Sequence, residues 1–166
     1  MGHKLTKQDI EKMKEEIVHR KAVVRKAALE DVKEARAQGD LSENFEYKAA
    51  KKFKNQNESR IRYLERMIKN AEIFEDTSGD DEVGMNNRVT VYFEEDDEEE
   101  EFKIVTTVRG DSLQNIISIE SPIGKALLGK KVGDRVYVKV NDSYGYYLQI
   151  RAIEKTTDED EEISRY

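Results

Sequence analysis

Two long stretches with a helical repeat of apolar residues constrain the fold of this 166-residue chain more than any other feature. In the first stretch the repeat comes at steps of 3, 4 or 7 residues, through Ile10, Met13, Ile17, Val24, Ala28, Val32 and Ala35. In the second it comes at steps of 3 or 4, through Ala50, Phe53, Asn57, Ile61, Leu64, Ile68, Ala71 and Phe74, with Asn57 as a polar residue within the stripe. Such spacing places each set on one face of an α-helix. Since neither helix can bury its stripe alone, we predict an antiparallel hairpin of two helices, each about 30 residues and about 45 Å long.

The turn between the two stretches carries two carboxylates. Gly39 ends the first helical stretch, and Asp40 and Glu43 follow it. Their spacing is that of an N-cap and the third helical position, so both can simply start the second helix. Alternatively, they project from the turn and share a hard cation such as Mg²⁺, with the remaining ligands supplied by a second component. Both interpretations stay open, because one carboxylate oxygen can cap while another faces outward.

Composition narrows the function classes. Charged residues make up 39% of the chain and apolar residues 37%, a balance typical of long solvated helices. Residues 1–76 carry 18 Lys+Arg and 15 Asp+Glu, whereas residues 77–166 carry 11 and 21. Nucleic acid would repel so acidic a second half, which argues against a simple DNA-binding protein. The absence of cysteine excludes disulfides and thiolate metal sites. A chain without cysteine fits a reducing cytosol, so we expect a cytoplasmic protein. No segment approaches the roughly 18 apolar residues of a membrane span.

The second half has the pattern of a small α+β domain. The strand candidates, rich in β-branched and aromatic residues, are 89–93, 102–108, 116–119, 135–140 and 146–153. Ser121 as N-cap and Pro122 at the first helical position predict a short helix that runs to about Leu128. We therefore predict an antiparallel sheet with one short helix.

The domain organisation follows from these patterns. We predict a hairpin over 1–76, a polar linker over 77–84, a sheet domain over 85–157 and an acidic tail over 158–166. The acidic run 94–101 lies between two strand candidates, so we expect a solvated loop there, disordered by self-repulsion. We expect the same of the tail.

Two motifs resemble one known family. Residues 34–51 read EARAQGDLSENFEYKAAK, which resembles the hairpin tip of the GreA/GreB family of bacterial transcript cleavage factors, whose pattern is near EAR-x-x-GDL-x-EN-A-EY-x-A-A-K. Residues 115–119, NIISI, followed by 121–130, SPIGKALLGK, are similar to the C-terminal signature of the same family. Together the matches cover most of the chain in family order.

The resemblance implies how the two parts work. The second domain should have the FKBP-like fold and dock on bacterial RNA polymerase, with docking candidates Ser121, Pro122, Ile123 and Gly124. FKBP-like prolyl isomerases place a tryptophan under the substrate, and this chain contains none, so isomerase activity is not expected. The hairpin should enter the secondary channel of the polymerase as part of a monomer.

The tip residues have implied roles in RNA cleavage. Asp40 and Glu43 would share Mg²⁺ with the polymerase active site and act there as the catalytic carboxylates, so the chain alone would bind no cofactor. The candidates for contact with the nascent RNA near its 3′ end are Arg36, Lys48, Lys51 and Lys52. The implied function is stimulation of the polymerase's own Mg²⁺-dependent cleavage of backtracked RNA, rather than catalysis by this chain alone. The alternatives are a non-cleaving regulator that occupies the same channel and a purely structural coiled-coil adaptor.

One tip residue departs from the family pattern. Phe45 stands where the family usually has alanine. An isolated phenylalanine gains nothing on a solvated tip, so we expect it to turn inward and pack across the hairpin near Ala35.

Overall fold

The computed structural model describes residues 2–39 and 43–164, which form two compact units. One unit is built on Lys7–Ala71, and the other begins at Glu72 and also includes Lys4–Thr6. The division therefore falls ahead of the polar segment 77–84 in which the sequence predicts a linker. That segment ends within the second unit, because Val83 is fully buried in its core. No helix in the described ranges is long and apolar enough to cross a membrane.

The first unit is the predicted helical hairpin. Helix α1 (Lys7–His19) continues through one π-helical segment (Arg20–Val24) into α2 (Arg25–Arg36), and α3 (Phe45–Lys69) returns alongside them. Helix α3 ends earlier than the second apolar repeat of the sequence suggests. Asn70 is its C-cap, so Phe74 lies beyond the helix and packs against the core of the second unit.

Polar side chains hold the middle of the hairpin together. The buried apolar seam is thin: Met13, Ala28, Ala35, Ile61 and Leu64. Beside it, the buried Asn57 accepts a hydrogen bond from Arg20 Nη1 at 3.0 Å and donates to the Arg20 carbonyl at 3.3 Å. That carbonyl begins the π-helical segment, where the hydrogen-bond ladder is displaced by one residue. Asn57 therefore adds a second hydrogen bond to a carbonyl that already accepts from the Arg25 amide, and it links the two helices at this irregular turn.

The second unit is built on a five-stranded sheet. Strands β1 (Lys4–Leu5) and β2 (Glu72–Ile73) form a separate parallel pair. The main sheet has the order β5-β4-β3-β7-β6, and its strands are β3 (Arg88–Phe93), β4 (Glu98–Val105), β5 (Ile116–Ser118), β6 (Arg135–Lys139) and β7 (Gly145–Glu154). Helix α4 (Pro122–Leu127) contributes Leu127 to the core. The predicted α+β class is confirmed, but the sheet is mixed, because β5 runs parallel to β4.

The acidic run is more ordered than its composition suggests. Only its first part forms a turn, and β4 begins at Glu98 and pairs with β3 through Glu101. Repulsion does not open this hairpin, since the backbone ladder is complete and Glu101 pairs with Arg88 at 3.6 Å.

The acidic tail also differs from the expected solvated segment. Glu161 accepts from the buried Lys103 at 2.5 Å and from the buried Arg109 at 3.2 Å. The Ser164 amide donates to the Val108 carbonyl at 2.6 Å. The tail is held on the sheet domain because one of its carboxylates neutralises two buried cations.

Candidate functional site

The turn of the hairpin begins with a helix end that needs glycine. Helix α2 ends at Arg36 with Ala37 as its C-cap. Gly39 then adopts a φ of +120°, which side chains disfavour, and no atom of the described residues lies within 4 Å of the position of a Cβ atom. Backbone conformation rather than crowding therefore explains the glycine.

The cap of the second helix is Asn44. Its backbone is extended (φ −85°, ψ 96°), and its Oδ1 accepts from the Tyr47 amide at 3.0 Å. Its Nδ2 donates across the turn to the Ala35 carbonyl at 2.7 Å. One amide side chain thus caps α3 and satisfies a carbonyl at the end of α2, which fixes the turn from both sides.

This cap changes the interpretation of the two carboxylates. Because α3 begins at Phe45, Glu43 precedes the cap and cannot occupy the third helical position. The capping-box interpretation is wrong for Glu43, whose side chain is exposed and makes no ion pair with any residue in the described ranges. Asp40 lies outside the described residues.

Phe45 does not pack inward. Its side chain is 80% exposed, and the Lys48 ammonium lies 5.6 Å from the ring centroid. The expected packing near Ala35 is not formed, and the side chain that reaches Ala35 across the turn is Asn44. As the first residue of α3, Phe45 points into solvent beside Glu43.

The predicted RNA-contact cations surround the turn. Arg36 ends α2, and its guanidinium lies 5.6 Å from the Tyr47 ring centroid. Lys48, Lys51 and Lys52 are exposed on the first turns of α3, and none of these four cations is ion-paired within the part of the chain that the structure describes. A hydrogen bond from Arg36 lowers the pKa of Tyr47, burial partly opposes this, and the charge of Lys51 lowers it further. The turn therefore presents an exposed carboxylate, Glu43, close in sequence to several exposed cations.

The carboxylate suits a hard cation but cannot hold one alone. Magnesium prefers oxygen ligands and typically takes one or two carboxylates with several waters. Within residues 2–39 and 43–164, no three histidine or carboxylate side chains come together as a metal site. A Mg²⁺ ion at Glu43 would therefore need ligands from Asp40 and from another molecule.

The four predicted docking residues lie at the start of α4. Two of them, Ser121 and Gly124, have structural roles. Ser121 Oγ accepts from the Gly124 amide at 3.1 Å and donates to the Ser118 carbonyl at 2.6 Å. A Cβ atom on the buried Gly124 would lie 1.9 Å from that carbonyl oxygen, so only glycine fits. Pro122 is exposed and Ile123 is half-buried, so these two side chains are the ones that a partner can reach.

The sequence interpretation missed Asn44 and Tyr47 as organisers of the turn. A usable signal was present, since asparagine is among the preferred N-cap residues and lies directly before an uninterrupted helical stretch. The spacing of Asp40 and Glu43 also fits an N-cap and the third helical position, so it favours Asp40 over Asn44 as the cap.

The regions that match known protein families correspond to the same two units of the chain. The family model described as "Transcription elongation factor, N-terminal" matches residues 3–73, and that described as "Transcription elongation factor, GreA/GreB, C-term" matches residues 78–155. Transcription elongation factor GreA of Acholeplasma laidlawii is 38% identical over 91% of this chain and 96% of its own length. GreA of Mesoplasma florum is 44% identical over 87% and 94%, respectively. Among solved structures, GreA factor homolog 1 (Gfh1) of Thermus thermophilus is 27% identical, with 93% of this chain and 100% of that chain covered and a TM-score of 0.43. The chain belongs to the GreA/GreB family of transcription elongation factors.

Proposed function

We propose that this elongation factor binds RNA polymerase, inserts its helical hairpin into the secondary channel and stimulates endonucleolytic cleavage of backtracked RNA. The observation that carries the proposal is the position of Glu43. Its carboxylate is exposed directly ahead of the Asn44 cap, so helix capping does not consume it, and exposed lysines lie on the first turns of the helix that follows. Family membership supports the same conclusion for the chain as a whole.

The tip residues have separate roles in this proposal. Glu43 orients the attacking water and accepts its proton, a task that requires an ionised and accessible carboxylate. Asp40 and Glu43 are the residues that would hold a Mg²⁺ ion shared with the polymerase. When bound, such an ion lowers the pKa of water and stabilises charge on the scissile phosphate. Arg36, Lys48, Lys51 and Lys52 contact the RNA backbone as positive charges.

The second unit docks the factor in this proposal. Pro122 and Ile123 supply the accessible apolar surface, and Ser121 and Gly124 hold that surface in place through their bonds and close approach to Ser118. Cleavage then belongs to the polymerase active site, and this chain completes it.

A backtracked elongation complex tests the proposal. Addition of the chain with Mg²⁺ should release short RNA fragments that carry the original 3′ end, and the polymerase should then resume synthesis. A non-cleaving regulator would change elongation without releasing fragments, and a structural adaptor would do neither. Either of those two results would refute the proposed cleavage role.

A further inference from the structure

One face of the sheet in the second unit carries a cavity that shares only one lining residue, Ile123, with the proposed docking surface. The cavity encloses about 320 Å³, near the lower limit of about 300 to 1,000 Å³ for ligand sites. Its floor is a continuous row of aromatic rings. Phe102 lies 6.1 Å from Phe93, Phe93 lies 5.9 Å from Tyr146, and Tyr146 lies 6.0 Å from Tyr144. The row runs from the buried Phe102 to Tyr144, which is 49% exposed at the opening.

The alternation of β4 places carboxylates on the same wall as these rings. Glu98 and Glu100 share the face of β4 that carries Phe102, and all three line the cavity. Glu95 and Asp96, from the turn before β4, line its rim, and the Tyr144 hydroxyl donates to Glu95 at 3.2 Å. Among the described residues, no lysine or arginine lines the cavity.

The carboxylates that line the cavity differ from two nearby carboxylates in the sequence, which form ion pairs with arginines. Glu94 pairs with Arg135 at 2.8 Å, and Glu101 pairs with Arg88 at 3.6 Å. In contrast, none of the four carboxylates of the cavity forms an ion pair within residues 2–39 and 43–164. They are Glu95, Asp96, Glu98 and Glu100. The cavity thus concentrates negative charge that the folded chain does not neutralise.

We propose that this cavity binds a basic segment of a partner protein and takes an arginine or lysine side chain against its aromatic floor. A cation above the faces of Tyr144 and Tyr146 gains from the ring electrons, and the carboxylates accept its N–H groups. Its aliphatic stem packs on Phe93 and Ile123, which also lines the cavity. Anionic partners, nucleic acids included, are repelled.

The tyrosines are suited to this role because they stay neutral. Burial raises the pKa of Tyr146, and the nearby Tyr144, Glu100 and Glu95 raise it further. Burial likewise raises the pKa of Tyr144, and Glu95 adds to the effect. This inference goes beyond RNA cleavage, since it concerns a different unit of the chain and does not require the hairpin tip.

An NMR titration of the full chain tests the inference at low ionic strength. The probe is a blocked pentapeptide with two arginines, and the control peptide replaces both with citrulline, which keeps the shape and removes the charge. We expect saturable shifts centred on Tyr144 and Tyr146 with the arginine peptide alone. Shifts scattered over the acidic surface, or equal binding of the citrulline peptide, would overturn the inference.

Two matched double variants distinguish binding in the cavity from nonspecific attraction to the negative charge of the surface. Glu98→Gln with Glu100→Gln removes two charges inside the cavity, and Glu99→Gln with Glu101→Gln removes two from the opposite face of the same strand. We expect about tenfold weaker binding for the first pair and a change below about twofold for the second. Equal weakening by both pairs would show attraction to net charge only and would contradict the proposal. Failure of RNA cleavage would leave these expectations unchanged.

Discussion

The side chain of Asn44 joins the two ends of the hairpin turn, because its Nδ2 donates to the Ala35 carbonyl at 2.7 Å while its Oδ1 caps Tyr47. This arrangement frees Glu43 from capping and sets where α3 begins. The exposed carboxylate therefore depends on a neighbour that performs no chemistry itself.

Loss of this bridge should loosen the tip. We expect Asn44→Ala to destabilise the start of α3 by about 1–2 kcal/mol, because a cap and a cross-turn bond disappear together. Asn44→Asp keeps the acceptor for Tyr47 and loses only the donor, so it should cost less. Amide hydrogen exchange of Tyr47 measures both effects. Asn55→Ala, on the exposed surface of α3, is the control and should not speed that exchange.

Phe45 should contribute little to stability. Its side chain is 80% exposed, so Phe45→Ala should change the free energy of unfolding by less than about 0.5 kcal/mol. Leu64→Ala, in the buried seam, should cost about 2–5 kcal/mol in the same calorimetric measurement. A large loss of stability from Phe45→Ala would show that the ring packs inward.

The middle of the hairpin should weaken in acid through Glu16. Burial raises the pKa of this carboxyl, but hydrogen bonds from Arg60 and Arg20 outweigh burial and lower it overall. A lowered pKa in the folded state contributes stability above the unfolded value of about 4.3, and that contribution disappears as the pH falls through the folded value.

The corresponding measurement is hairpin stability against pH for Glu16→Gln. This variant should be less stable than the parent chain at neutral pH, and the difference should shrink below about pH 4. Glu15→Gln removes the adjacent, exposed carboxyl and serves as control. A pH-independent difference would mean that Glu16 acts through packing rather than charge.

The acidic tail should stabilise the sheet domain, with Glu161 as a principal contact. Glu161 accepts from Lys103 and Arg109, whose side chains are 2% and 0% exposed. Glu161→Gln leaves both cations poorly compensated and should cost about 3 kcal/mol, measured by hydrogen exchange of β4 amides. Glu162→Gln is the exposed control and should have little effect. Equal protection in both variants would show that the charge of Glu161 is dispensable for stability.

The sequence predicts the elements well where local periodicity decides. Ser121 and Pro122 mark the start of α4 correctly, and the strand candidate at 89–93 lies within β3. Prediction fails where distant partners decide. The cross-turn bond of Asn44 depends on the Ala35 carbonyl, and the docked tail depends on Lys103, 58 residues before Glu161. Local charge density alone indicates repulsion in both acidic segments and contains no information about those partners.

A comparison of two glutamates tests the central claim most directly. Glu43 and Glu46 are both exposed at the start of α3, but only Glu43 precedes the cap. Stimulated cleavage of backtracked RNA should fall by about 100-fold or more in Glu43→Gln, with polymerase binding retained, and should persist in Glu46→Gln. Full cleavage by Glu43→Gln, or an equal loss in both variants, would contradict a catalytic role for the Glu43 carboxylate.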